Sequence, residues 1–195
     1  MRWYAPFILP VSAVMLTASQ ASAADIARLE WGGFVVESDS SNGAQDWKAA
    51  VSDDGHSVTL TFSALEAKAD GTVFDGASSV AGYFDVSQPG SEAFTQLHVD
   101  VSGYVIKSKA VATRIVLKLG TVERTIEWPS DTAVSEKFAK SFDIVAPADG
   151  RLPDPFPVAA EVSVHKDNAT DSAFISVNEI RITAGHPAIA ANTAP

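Results

Sequence analysis

The chain has no cysteine among its 195 residues, and this absence excludes several kinds of structure and chemistry. Without thiols there is no disulfide bond, no thiolate nucleophile and no cysteine-ligated metal centre. Small exported domains often depend on disulfides, so a domain without them must be stabilised by its hydrophobic core. About 160 ordered residues bury roughly 70% of the surface of the unfolded chain, which is enough for one such domain.

Basic residues are also scarce: 14 Lys and Arg oppose 24 Asp and Glu, which gives a formal net charge of −10. An acidic surface repels phosphate backbones, so we expect no nucleic-acid partner. The four histidines, His56, His98, His165 and His186, occur at no metal-ligand spacing, which argues against a zinc site.

Long apolar runs are missing beyond the first 24 residues, since none approaches the ~20 residues of a membrane-spanning helix. The beginning of the chain has the pattern of a secretory leader. Arg2 supplies one positive charge, residues 7–16 are mostly apolar, and Ala21-Ser22-Ala23 has the small residues of a cleavage site. We therefore predict a signal peptide at 1–23, no membrane span, and a protein that is periplasmic or extracellular.

Alternation of apolar and polar residues with a period of two is the main feature that is present. It is strongest between Phe94 and Trp128 and is typical of antiparallel strands with one face on a core and one in water. About nine or ten such segments, with turn signals every 8–12 residues or so, predict an all-β fold. We expect a single antiparallel, jelly-roll-like β-sandwich over residues 24–184 and a disordered tail at 185–195.

The strongest alternation also suggests how its strands pair. Turns at residues 107–109 and 119–120 would join three consecutive strands as two hairpins. The opposed residues would be Val105 and Val111, Ser102 and Arg114, His98 and Lys118, and, in the second hairpin, Leu117 and Val122. This register points Arg124 inward, so a bulge or a carboxylate partner is expected there.

Two resemblances to known families are carried by short segments. VSDDG (51–55), VTLTF (58–62), YFDV (83–86) and VDVSGY (99–104) resemble a secreted β-sandwich domain family of unknown function, which implies no activity. The ending FISVNEIRI (174–182) is similar to the last strand of galactose-binding-like jelly rolls. Many of those domains are carbohydrate-binding modules, so this second resemblance implies a glycan partner.

One strand face carries the most suggestive polar residues, His98, Asp100, Ser102 and Tyr104. Side chains two positions apart on a strand are about 7 Å apart, too far for a catalytic Ser–His hydrogen bond of about 3 Å. The face could instead bind a ligand, with Tyr104 stacking on a ring while Asp100 and Arg114 bind hydroxyl groups. A solvated face paired with Arg114 and Lys118 is the alternative, and it is the favoured account of these residues.

Trp31 and Trp47 are the other predicted ligand-binding residues. Trp31 adjoins two glycines and Trp47 follows a polar loop, so either ring could be exposed and stack on a sugar. A buried ring would simply be part of the core, which is the commoner fate at alternating positions and the one predicted for Trp128.

The carboxylates of Glu123 and Glu127 do not form a hydrolytic pair. They share one strand face about 13 Å apart, too distant for either geometry of glycoside hydrolysis. We interpret them as partners of Lys118 and Arg114. No catalytic residue is predicted, and the protein is not expected to be an enzyme.

Two polar loops, 39–46 and 70–75, could hold a structural calcium ion, the only cofactor considered. They offer the carboxylate, amide and carbonyl oxygens that this ion prefers, and the predicted ligands are Asp70 and Asp75. Jelly rolls often hold such an ion at a loop, which supports the idea by analogy. The alternative is an ordinary turn, because Asp, Asn and Gly are common turn residues.

These observations predict an exported, non-catalytic binding module for a glycan or another envelope polymer. The alternative is a structural envelope or matrix protein that assembles through its sheet edges, with residues 26–37 adding to a neighbour's sheet. An exported hydrolase comes third, because no nucleophile–base pair can be named. The oligomeric state is left open.

Overall fold

The structure is a computed structural model that describes residues 29–39, 47–53, 55–88 and 96–184. The predicted leader, the predicted tail and most of the 39–46 loop lie outside these ranges. The strands are β1 (Glu30–Asp39), β2 (Trp47–Val51), β3 (Ser57–Ala69), β4 (Asp75–Ser87), β5 (Gln96–Lys107), β6 (Val111–Leu119), β7 (Val122–Trp128), β8 (Val134–Val145), β9 (Phe156–Lys166) and β10 (Ala173–Ala184). Within the described ranges, no helix is long and apolar enough to cross a membrane.

Two five-stranded antiparallel sheets form the fold. Sheet A has the order β1-β4-β9-β6-β7, and sheet B has the order β2-β3-β10-β5-β8. Without the edge strands β1 and β2, two four-stranded sheets remain, which is the eight-stranded, two-sheet pattern of a jelly roll. The prediction of an all-β, jelly-roll-like sandwich is therefore confirmed.

The core lies between the two sheets and is made by alternate residues, as the period of two predicts. Leu117 on β6 and Val99 on β5 are completely buried, and so is Ile182 on β10. The predicted hairpin after residue 51 is also present, because Val51 pairs with Val58.

The prediction that β5 and β6 form a hairpin is wrong. Strand β5 pairs with β8 and β10 in sheet B, whereas β6 pairs with β7 and β9 in sheet A. Arg114 and Lys118 therefore do not lie opposite Ser102 and His98. Two strands bury the same alternate residues whether they lie side by side or face each other across a core. Alternation determines which side chains are buried but not which strands are neighbours.

The second predicted hairpin, β6–β7, exists in a register shifted by two residues. Leu119 pairs with Val122, and Thr113 pairs with Trp128. Arg124 needs no inward partner, because β7 is the edge strand of sheet A and the side chain is exposed there.

Candidate ligand-binding groove

A groove of about 630 Å³ lies on the outer face of sheet A, over β4, β9, β6 and the end of β7. Small residues on three neighbouring strands, Ala77, Ser163 and Ala112, contribute to its floor. The larger polar residues that line it are Asp75, Arg114, Glu127, Glu161 and His165. The lining therefore combines small groups at the sheet surface with charged groups that extend from it.

Strand pairing brings these residues together from distant parts of the chain. Arg114 on β6 is paired with Ser163 on one side and with Glu127 on the other. In the next row, His165 is paired with Asp75. Each is at an outward position of its strand, so the same alternation that builds the core also aims these side chains into the groove.

Arg114 is held in place by two contacts. Its Nε donates a hydrogen bond to Ser163 Oγ at 3.0 Å, and its Nη2 lies 3.9 Å from Glu161 Oε1. The side chain is still 56% exposed. A guanidinium has five N–H donors, so several remain available to a ligand in the groove.

His165 stands at the end of the groove between two aspartates. Its Nδ1 lies 2.6 Å from Asp75 Oδ1, and its Nε2 lies 3.4 Å from Asp167 Oδ1. The hydrogen bond with Asp75, followed by the negative charge of that carboxylate, raises the pKa of the imidazole. No serine hydroxyl bonds to this ring within the described residues, so it is not arranged as the base of a nucleophile.

A similar arrangement occurs on the outer face of sheet B. His98 Nδ1 lies 2.7 Å from Asp143 Oδ1, and its Nε2 lies 3.3 Å from Asp100 Oδ1. The hydrogen bond with Asp143 is the main cause that raises the pKa of His98.

These two histidines predict a weak dependence of stability on pH. Both pKa values are raised above the ordinary 6.5, so each contribution is complete below about pH 6.5 and is lost as the pH rises through the folded-state value. We expect the Tm to fall slightly between about pH 6 and about pH 9, and only slightly because exposed ion pairs are weak. The double variant His98→Gln/His165→Gln should have a flatter profile. An equally steep fall in that variant would contradict the assignment.

The sandwich separates the residues that were predicted to act together. Asp100 and Tyr104 lie on the outer face of sheet B, and Arg114 lies on the outer face of sheet A. On sheet B, Asp100 accepts a hydrogen bond from Ser141 Oγ at 2.6 Å and lies 3.3 Å from His98 Nε2, and Tyr104 Oη lies 3.4 Å from Ser135 Oγ. Of these three residues, only Arg114 reaches the groove.

Trp31 and Trp47 do not line the groove either. Trp31 is 7% exposed and packs edge-on against Phe84 and Phe156, with ring centroids 5.6 and 5.7 Å away. Trp47 is half-buried and packs edge-on against Phe34 at 5.0 Å. The buried alternative therefore describes Trp31, and the prediction that its ring stacks on a ligand is not supported.

The predicted carboxylate partners are found in part. Glu123 pairs with Lys118 at 3.6 Å, as expected, whereas Glu161 and not Glu127 makes the ion pair with Arg114. Glu127 nevertheless lies beside Arg114 in the register and lines the groove.

Asp70 and Asp75, the predicted calcium ligands, already have cationic partners. Asp70 Oδ2 lies 2.6 Å from Lys68 Nζ, and Asp75 is bound by His165. In the part of the chain that is described, no group of three His, Asp or Glu side chains could hold a metal ion. Neither aspartate therefore belongs to a cluster of acidic metal ligands in the described residues, and calcium binding at these positions stays a prediction.

No protein-family model matches this sequence, and no curated protein matches it. Among solved structures, the chain is similar to a chain in the structure of infectious bursal disease virus (Gx strain), with 12% identity, a TM-score of 0.36, and coverage of 84% of this chain and 33% of that one. It thus spans about a third of that viral chain.

Two carbohydrate-binding modules are similar as well. A family 61 module in complex with β-1,4-galactotriose has 14% identity and a TM-score of 0.32, over 79% of this chain and 90% of that one. A family 36 module in complex with calcium and xylotriose has 13% identity and a TM-score of 0.33, over 77% of this chain and 99% of that one. At such low TM-scores these likenesses carry no argument about function, which rests on the residues of this chain.

Proposed function

We propose that this chain is an exported, non-catalytic module that binds an uncharged glycan in the groove on sheet A. The observation that carries the proposal is the lining of that groove, where charged side chains converge over small residues of three adjacent strands. Export is supported by the leader pattern of residues 1–23. No catalysis is proposed in the groove, because its histidine, His165, bonds to Asp75 and Asp167 rather than to a nucleophile.

The chemistry of the groove suits a sugar. A pyranose ring presents C–H groups on its faces and hydroxyl groups around its rim. The methyl groups of Ala77 and Ala112 can contact the C–H groups, while Arg114 donates to hydroxyl oxygens and Glu127 accepts from hydroxyl groups. The volume of about 630 Å³ falls within the range of ligand pockets, roughly 300–1,000 Å³.

The charge of the groove disfavours acidic polymers. Three carboxylates, Asp75, Glu127 and Glu161, face the cation Arg114 and the titratable His165, and the whole chain has a formal net charge of −10. Uronic-acid and sulfated polymers would be repelled by this field. Competition with a neutral oligosaccharide mixture should therefore reduce binding to an insoluble polysaccharide, while an equal mass of alginate or heparin should not.

Assembly through sheet edges is the weaker candidate. The edge strand β8 carries Lys137 and Lys140, and the edge strand β1 pairs with β4 through two register irregularities. Lysines and bulges on an edge strand both oppose the addition of another strand. Light scattering of the mature protein over a range of concentrations separates the two ideas, because a monomer throughout counts against assembly.

Arg114→Ala is the direct test of the groove. Charge-assisted hydrogen bonds contribute about 1.5–3 kcal/mol each, so we expect glycan affinity to fall roughly tenfold to a hundredfold. Pull-downs on insoluble polysaccharides would first identify a ligand, and isothermal titration calorimetry with its oligosaccharides would then give Kd for each variant.

Arg181→Ala is the matched control, since Arg181 is an exposed arginine on the outer face of sheet B. It should leave Kd unchanged. Equal losses in the two variants would show that the groove is not the binding site. A folded wild-type protein that retains no glycan from a broad panel would refute the proposed function itself.

A further inference from the structure

Lys166 is completely buried, although it is a charged residue at the last position of β9. It takes the inward place in the alternation that Val162 and Val164 occupy before it. Burying an ammonium group is costly unless its N–H donors are satisfied, so the surroundings of this side chain require an explanation.

Three backbone carbonyl oxygens converge on the Lys166 ammonium. Nζ donates hydrogen bonds to the carbonyls of Gly71 and Asp171, each at 2.8 Å, and to that of Ala169 at 3.3 Å. It also lies 5.4 Å from the centre of the Phe74 ring. All three N–H donors of a lysine can therefore be used, and the charge rests partly on an aromatic face.

The carbonyls belong to two different loops, 70–74 and 167–172, so the ammonium joins them. A cage of carbonyl oxygens supplied by two loops is also a ligand set that a hard metal cation would use. A backbone contact also holds the 70–74 loop against β9, because the amide N–H of Lys166 donates to the carbonyl of Phe74 at 3.0 Å.

The nearby carboxylates have partners from the chain itself. Asp70 pairs with Lys68, and His165 lies between Asp75 and Asp167. The segment 70–75 was predicted from the sequence to bind calcium, yet its carboxylates face cationic side chains and the carbonyl cage beside it holds an ammonium.

We propose that Lys166 is a built-in structural cation, whose ammonium group closes the 70–74 and 167–172 loops where a metal ion would otherwise be needed. The three carbonyl oxygens fit a small cation that contacts all of them at once. Stability of this end of the sandwich is then independent of calcium, and the inference does not depend on the glycan proposal.

The test is chemical rescue of Lys166→Ala followed by thermal unfolding. Removing the ammonium leaves three carbonyls without their donor, and we expect Tm to fall by about 10 °C. Adding methylammonium chloride should restore part of that loss by binding in the vacated cage, whereas tetramethylammonium chloride, which has no N–H donor, should not.

Lys107→Ala is the matched control. Lys107 is also buried, at 2% exposure, but among the described residues its ammonium donates to a single carbonyl, that of Thr132. Methylammonium should not restore this variant, since one carbonyl does not make a cage. Equal restoration of both variants would overturn the proposal.

The wild-type protein supplies a test that does not need a folded variant. Its Tm should be the same in EDTA and in calcium chloride. A fall in EDTA that Asp70→Asn abolishes would show that this loop binds a metal ion and would overturn the proposal. A Lys166→Met variant as stable as the wild type would also overturn the proposal, because the side chain would then serve only to fill space.

Discussion

Gly103→Ala is expected to lower the free energy of unfolding by about 3 kcal/mol or more, and Tm by about 10 °C. Gly103 lies on β5, between β10 and β8 in sheet B. A Cβ at this position would stand 2.0 Å from the carbonyl oxygen of Ser176 and 2.6 Å from Cζ of Phe138. The Ser176 carbonyl belongs to paired backbone, so relief requires the two strands to separate. Urea denaturation followed by circular dichroism measures the loss.

Gly33→Ala is the control for this prediction. Gly33 lies on the edge strand β1, and a Cβ there would meet no atom of the described residues within 4 Å. Its unfolding free energy should stay within about 0.5 kcal/mol of the wild type. If both variants unfold at the same urea concentration, then β5 and β10 do not approach each other as closely as the register at Gly103 requires.

The strands and the core could be predicted because the information for them is local. The segment 97–101 alternates strictly, and Leu97, Val99 and Val101 are all buried. The β2–β3 hairpin was predictable for the same reason, since its turn lies between residues that are neighbours in the sequence.

Apart from the β2–β3 and β6–β7 hairpins, strand neighbours could not be predicted, because they depend on contacts between distant segments. Strands β5 and β6 follow each other in the chain and still belong to different sheets. The lining of the groove could not be predicted for the same reason, because Arg114 contacts Ser163 and Glu161 only where β6 pairs with β9. Arg114 was therefore predicted to bind a ligand together with Asp100 and Tyr104, which lie on the other sheet, and the groove residues of β9 were not predicted.

Two buried lysines had a sequence signal that was not recognised. Lys107 and Lys166 each stand at the last position of a strand and at the inward place of its alternation. An alternating pattern that ends on an inward lysine places an ammonium group where loops close over the end of the sandwich. Such a residue must find carbonyl partners there, because a buried charge without them would be destabilising.

Trp31→Ala is expected to lower the free energy of unfolding by about 3–5 kcal/mol, which is typical of removing a buried aromatic side chain. Trp31 packs edge-on against Phe84 and Phe156, which are 0% and 1% exposed. Its loss would leave a cavity beside both rings at the β1 end of sheet A. Differential scanning calorimetry should show a Tm more than about 10 °C below that of the wild type.

Trp47→Ala is the matched control, because Trp47 is half-buried and packs against one aromatic ring, that of Phe34. This variant should lower the free energy of unfolding by about 1–2 kcal/mol. Trp31→Phe should keep most of the stability, since it preserves an aromatic ring and removes an indole N–H that has no partner among the described residues. The opposite result, a stable Trp31→Ala that loses glycan binding, would mean that the ring is a stacking surface for sugar. The ligand would then lie at the β1 edge and not in the groove beside Arg114.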